Sequence, residues 1–199
     1  MKRKLYLSVC FGLICAIMLS MSRFEAACDD LRQNVLRLHI IANSDSDADQ
    51  QLKLKIRDEI LAKTDGLFLK SDNLENAEKT VKSNLDKFQE TAENVIKENG
   101  FDYTAKVTFG KSSFSTRYYD DFTLPAGVYD SLIIILGEGK GKNWWCVVYP
   151  TVCIPAASKG ELEDSAKPEA AEIAKGGQRY VMRFKVVEIS EKIKKLITL

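Results

Sequence analysis

Between Leu124 and Cys153 the chain reads LPAGVYDSLIIILGEGKGKNWWCVVYPTVC, and no other stretch restricts the fold as much. An apolar run, Leu132 to Leu136, leads into the glycine-punctuated GEGKGK and then into Trp144-Trp145-Cys146-Val147-Val148-Tyr149. Short apolar runs bounded by glycine read as buried strands. The pattern predicts two such strands joined as a hairpin, with the glycines supplying the backbone angles a tight connection needs. Both tryptophans of the chain fall here. Alternation along a strand sends one indole inward and the other outward.

The other end of the chain constrains location. Lys2-Arg3-Lys4 precedes an apolar run from Leu5 to Met21, broken only by Ser8, Gly12 and Ser20. This is the layout of an export signal, and the run is also long enough to remain as a membrane anchor. Residues 1–27 are therefore expected to be a signal peptide or anchor. Cys28 after Ala26-Ala27 leaves lipidation open as a third fate. Each option puts the body of the protein outside the cytoplasm. Lys2, Arg3, Lys4 and Arg23 against Glu25 give these 27 residues +3 within a total of +1, so the body carries −2. A near-neutral body argues against nucleic-acid binding, which needs a basic footprint.

In the body, Val35 to Ala42 has the pattern of a strand burying at least one face, after a short linker over 22–34. Asn43-Ser44-Asp45-Ser46-Asp47 breaks it with turn and cap residues, and a helix is expected from Asp47 to Lys63. A second, longer helix is expected from about Ser71 to Asn99, on the spacing of Leu74, Ala77, Val81, Leu85, Phe88, Ala92, Val95 and Ile96. From Phe101 the period becomes two, with a turn at Gly110-Lys111 and a return strand from Phe114 to Tyr119. Residues 155–177 read as a mobile excursion, and the tail from Met182 as a helix, although Tyr180 to Val187 also suits a strand. The expected architecture over 28–199 is one α+β domain, with two or three helices on a mostly antiparallel sheet.

Candidate chemistry is thin. Asp45-Ser46-Asp47-Ala48-Asp49 copies the first half of a calcium loop, but the sixth and twelfth positions hold Gln50 and Ile56 instead of Gly and Glu. Helix capping explains the acids better. The glycines of GEGKG precede a strand, whereas a phosphate loop opens a helix. His39 is the only histidine, too few for a histidine-based metal site, so no metal or cofactor is expected. A Cys146–His39 nucleophile pair remains as a thiol-hydrolase reading. Cys146 and Cys153 are candidates for a disulfide in an exported protein. The outward tryptophan, with Tyr118, Tyr119 and Tyr149, suits docking to a protein or to cell-wall glycan.

Three blocks resemble one family. HIIANSDSDADQQLKLKIRDEIL (His39 to Leu61), LPAGVYDSLIIILGEGKGKNWWCVVYP and VMRFKVVE are similar to segments of the stage II sporulation protein R family of endospore-forming bacteria. The resemblance implies a non-enzymatic signal, exported from the forespore into the space between its membrane and that of the mother cell. There it would activate a membrane-embedded aspartic peptidase that processes the precursor of the early mother-cell sigma factor. Asn43, Ser44, Asp45, Asn143 and Trp144 are the expected receptor-docking residues, as polar turn residues beside an outward aromatic. The competing expectation is that the first three only cap the following helix and Trp144 only packs.

Overall fold

A computed structural model describes residues 2–65, 67, 71, 73–119, 122–150, 167–176 and 180–197. The chain groups into two compact units. One holds Gln33–Phe114 and Val128–Ser165; the other holds Met1–Arg32, Ser115–Gly127 and Ala166–Leu199.

The first unit is the α+β body. Its four-stranded sheet has β1 (Leu36–Ile41), β2 (Ala105–Phe114), β5 (Gly127–Leu136) and β6 (Asn143–Tyr149) in the order β2-β5-β1-β6. The sheet is mostly antiparallel. β1 runs antiparallel to β6 and parallel to β5. Gly137 N donates to Thr104 O (2.9 Å) at one end of the β2–β5 pair, and Lys111 meets Asp130 (2.9 Å) at the other, so those two strands run in opposite directions. The expected hairpin between the last two strands is therefore absent: β1 lies between them. Paired with β5 along one edge and with β6 along the other, β1 satisfies both rows of its backbone groups.

Helices α2 (Asp47–Asp65), α3 (Leu74–Lys82) and α4 (Leu85–Glu98) cover one face. Leu36, Leu38 and Ile40 point there and join Leu52, Ile56, Ile60, Val81, Phe88, Leu132, Ile134 and Val148 in one buried cluster. Arg37, His39 and Ile41 take the opposite face, as strand alternation requires. Two expectations need correction. The long helix over 71–99 breaks at Ser83-Asn84, where Asn84 Nδ2 bonds Thr80 O (2.7 Å) and Ser83 Oγ bonds the same oxygen (3.1 Å). Such side chains compete with the helical ladder. At Gly110-Lys111 there is no turn: β2 runs straight through to Phe114.

The second unit contains α1 (Lys2–Gln33), the short pair β3 (Arg117–Tyr118) and β4 (Thr123–Leu124), α5 (Pro168–Lys175) and α6 (Val181–Ile197). The tail is thus a helix, as favoured. Within 155–177, residues 168–175 form α5; residues 155–166 and 177 lie outside the described residues. α1 continues unbroken through the stretch read as a linker. Its apolar part has mean hydropathy 2.1 with none of it buried, so it is long and apolar enough to cross a membrane and is compatible with a signal or anchor segment. Its last turns are built differently. Phe24, Cys28, Phe184 and Val187 form a small core. Arg32 donates to Ala126 O from Nε (3.0 Å) and Nη2 (2.7 Å), while Nη1 pairs with Glu25 (3.2 Å) and Asp29 (2.5 Å). Cys28, the residue a lipoprotein site would modify, is a free thiol with no exposed surface.

Candidate functional site

The site follows from the strand order. β5 ends at Leu136, and residues 137–142 must pass over the end of β1 to reach β6. There they meet Ala42 to Ser46, the loop leaving β1 for α2. Gly141 N donates to Ala42 O (2.8 Å) and Lys140 N to Asn43 O (3.1 Å). Glu138 N donates to Asn43 Oδ1 (2.9 Å) and Lys142 N to Asp45 Oδ1 (2.6 Å). Lys53 of α2 adds an Nζ bond to Lys142 O (3.0 Å). Gly137 (φ +53°) and Gly139 (φ +62°) lie in the left-handed region that favours glycine, which lets the crossing loop turn tightly. The two loops are thereby clasped into one surface.

Beneath the clasp sits Asp49, 4% exposed in the first turn of α2. Its Oδ2 accepts from Ser44 Oγ (2.5 Å) and Asn43 Nδ2 (3.0 Å), and its Oδ1 from Tyr103 OH (2.7 Å). Burial alone would push this carboxyl up. The hydrogen bonds from Ser44, Tyr103, Asn43 and Ser46 outweigh it and hold Asp49 below the usual carboxylate range. Burial and the adjacent carboxylate push the Tyr103 phenol up, so it stays a donor. Ser46 caps α2: its Oγ accepts from Asp49 N (3.2 Å), and its carbonyl takes the first helical bond from Gln50 N (2.9 Å).

Of the residues expected to dock a partner, Asn43, Ser44 and Asp45 come together with the glycine loop. Their polar groups tie the two loops and Asp49 together, and Ser46 does the helix capping assigned to them. Asn143 is exposed at the start of β6, and its Oδ1 meets His39 Nε2 (2.8 Å). Trp144 lies on the helix-covered face, opposite Ile40, with the Arg57 guanidinium 4.4 Å from its ring centroid. The tryptophan on the other face is Trp145, which stacks on His39 at 5.8 Å. Alternation correctly separated the two indoles; which one faces the helices depends on the face α2 covers. Sequence reasoning missed Asp49, Tyr103 and Lys53 as members of the site. Asp49 looked like one of the helix-capping acids, and nothing local links it to Tyr103.

The thiol-hydrolase reading is overturned. Cys146 is disulfide-bonded, so it offers no thiolate, while Cys10, Cys15 and Cys28 are free. Its expected partner, Cys153, lies outside the described residues. Cys146 also pairs with Leu38 on the helix face, opposite His39. Asp45 and Asp49 of the supposed calcium loop are engaged in the clasp, and no cluster of metal-ligating side chains occurs among the described residues.

His39 instead accepts at Nδ1 from Ser112 Oγ (2.8 Å) when Nε2 carries the proton donated to Asn143 Oδ1. A hydroxyl on an oriented imidazole is half of an acyl-transfer site. The other half is a convergent pair of N–H donors for an oxyanion. Ser112 sits within β2, where successive backbone N–H groups point to opposite sides, so the strand does not converge two of them on one point. The contacts with Ser112 and Asn143 hold the imidazole in one orientation. Burial, and secondarily Arg37, keep the His39 pKa below its usual value, with the Asn143 bond opposing them. NMR titration of the imidazole is expected to give a midpoint below about 6.5, lower still in Asn143→Ala. The corresponding stability is present above the unfolded-state pKa and lost as pH falls through the folded one. A midpoint at or above the ordinary value would contradict this placement.

Sequence comparison bears directly on the clasp. The family model for stage II sporulation protein R matches residues 32–159, a span that contains both loops, Asp49 and Tyr103. This chain belongs to the stage II sporulation protein R family. The protein of that name from Bacillus subtilis (strain 168) is 39% identical over 126 residues, which is 63% of this chain. The aligned part spans 56% of that relative's length, little more than half. No solved structure matches. Family membership gives the chain a role in sporulation. It also divides the molecule: most of α1, and all of α5 and α6, lie outside the stage II sporulation protein R match.

Proposed function

We propose that this chain is an exported sporulation signal that activates a membrane-embedded aspartic peptidase, which then processes the precursor of the early mother-cell sigma factor. The observation that carries this reading is the family match over 32–159, together with the apolar N-terminal helix that an exported protein needs. The receptor contact is assigned to the clasped loops, around Asn43, Ser44, Asp45, Asn143 and Trp144. The hydrogen bonds between the loops preorganise that surface, so binding orders little backbone. Activation requires that the surface bind the active state of the peptidase better than the inactive one.

Lys140 and Lys142 expose their side chains on the crossing loop. Reversing both charges (Lys140→Glu with Lys142→Glu) leaves the backbone bonds of the clasp in place. In a sporulating host lacking its own copy, the variant is expected to cut precursor processing about tenfold at unchanged protein level, the size of one lost charge contact. Normal processing by this variant, and by Asn43→Ala and Trp144→Ala at normal level, would remove the loops as the contact. Failure of the unaltered chain to restore processing would remove the signalling reading itself.

A further inference from the structure

α6 carries two apolar faces, and only one is used. Phe184 and Val187 are buried against α1. Met182, Val186, Ile189, Ile193 and Leu196 follow at spacings of four, three, four and three, which places them on one stripe of the helix. That stripe lies opposite the buried face and is 50–80% exposed. We propose that it docks on an anionic lipid bilayer, with α6 lying in the membrane interface.

Charge selects that occupant. α6 holds Arg183, Lys185, Lys192, Lys194 and Lys195 against Glu188 and Glu191, a net +3. Glu188 is engaged by Lys185 and Lys192 (both 3.1 Å), and Glu191 by Lys194 (2.7 Å). At 3.6 residues per turn, Lys185 and Lys192 border the stripe on one side and Arg183 and Lys194 lie toward the other. An apolar stripe flanked by cations is the design of an interfacial helix, attracted by anionic headgroups. A second copy of the chain would bring the same positive rim and repel.

Position agrees. Phe24 packs on Tyr180 (5.6 Å) and Phe184 (5.1 Å), and Lys194 reaches Glu25 (3.7 Å). Tyr180 and Lys194 are far apart along the chain yet touch neighbouring residues of α1, so α6 crosses α1 instead of running beside it. The crossing lies about 4.5 Å beyond Met21, the end of the apolar run, at the ~1.5 Å rise per helical residue. With the apolar run of α1 retained as an anchor across the bilayer, a helix held across its exit would lie at headgroup level. The stripe is outside the family-matched residues, and the inference is independent of the signalling role.

The test uses the full chain in lipid nanodiscs, one copy per disc, of phosphatidylcholine alone or mixed with phosphatidylglycerol. Hydrogen exchange of 181–197 is followed by mass spectrometry. The α6 amides are expected to exchange about tenfold more slowly in the anionic discs, with the protection weakened by high salt. The Met182→Gln, Ile189→Gln, Ile193→Gln variant should lose that protection while 24–33 stay protected, which shows that the α1–α6 core is intact. A variant that also exposes 24–33 is replaced by Lys185→Glu with Lys192→Glu, expected to abolish the lipid dependence alone. Equal exchange in both lipids overturns the proposal. Protection that appears only with two copies per disc also overturns it, in favour of self-association.

Discussion

Asp49→Asn is expected to lower the stability of the α+β unit by about 3 kcal/mol, the scale of losing charge-assisted hydrogen bonds in a buried site. The substitution keeps the shape of the side chain and removes its charge. Asp49 accepts from Asn43, Ser44 and Tyr103 while almost fully buried. An asparagine in its place presents an NH2 group to at least one of these donors. The hydroxyls of Ser44 and Tyr103 can rotate; the amide of Asn43 is already committed through Oδ1 to Glu138 N. Urea unfolding followed by tryptophan fluorescence measures the effect, because both tryptophans lie in this unit. The pH dependence supplies an independent signature. The folded-state pKa of Asp49 is depressed, so its contribution is complete above the unfolded-state pKa, near 4, and is lost as pH falls through the folded value. The gap between the two proteins should therefore close in acid. A gap that persists unchanged at low pH would show that the carboxylate is not the stabilising group.

Gly141→Ala should be nearly as damaging, at about 2–4 kcal/mol, by overpacking and loss of backbone bonds. A Cβ at this position would lie 2.5 Å from the carbonyl carbon of Ser44, nearer still to its oxygen, and 2.9 Å from Ala42 Cβ. The first two are backbone atoms and cannot rotate away. The crossing loop would have to lift, breaking Gly141 N to Ala42 O and straining the neighbouring bonds from Lys140 and Lys142. Gly110→Ala is the matched control, since its Cβ would meet only Ile133 Cδ1, at 3.9 Å. It should change stability by less than about 0.5 kcal/mol. Equal effects from the two substitutions would mean that the clasp contributes little.

Both predictions depend on residues whose importance the sequence hides. The apolar runs located β1, β5 and β6, and the stripe from Leu74 to Ile96 located the helical layer, because burial periodicity is written into the order of residues. The break at Ser83-Asn84 was less visible, since the apolar stripe continues in phase across it. Gly110 was misread as a turn for the opposite reason: a strand with an open edge accepts a glycine that a periodic pattern treats as punctuation. The docking residues Asn43, Ser44 and Asp45 were recognised as turn formers, but the glycine loop that grips them is nearly a hundred residues away.

The composition of Leu124 to Cys153 determined by itself that two buried strands flank a glycine loop and that its tryptophans fall on opposite faces. Local backbone preference and alternation suffice for that. Only the tertiary structure decided that these strands do not pair. β1, apolar on the helix side and buried along both edges, takes the place between them, because a central position satisfies all of its backbone groups. From that insertion follow the crossing loop, the grip on Asn43 and the buried carboxylate of Asp49. Strand order is a long-range outcome of packing and hydrogen bonding, and it turned two distant segments into one surface.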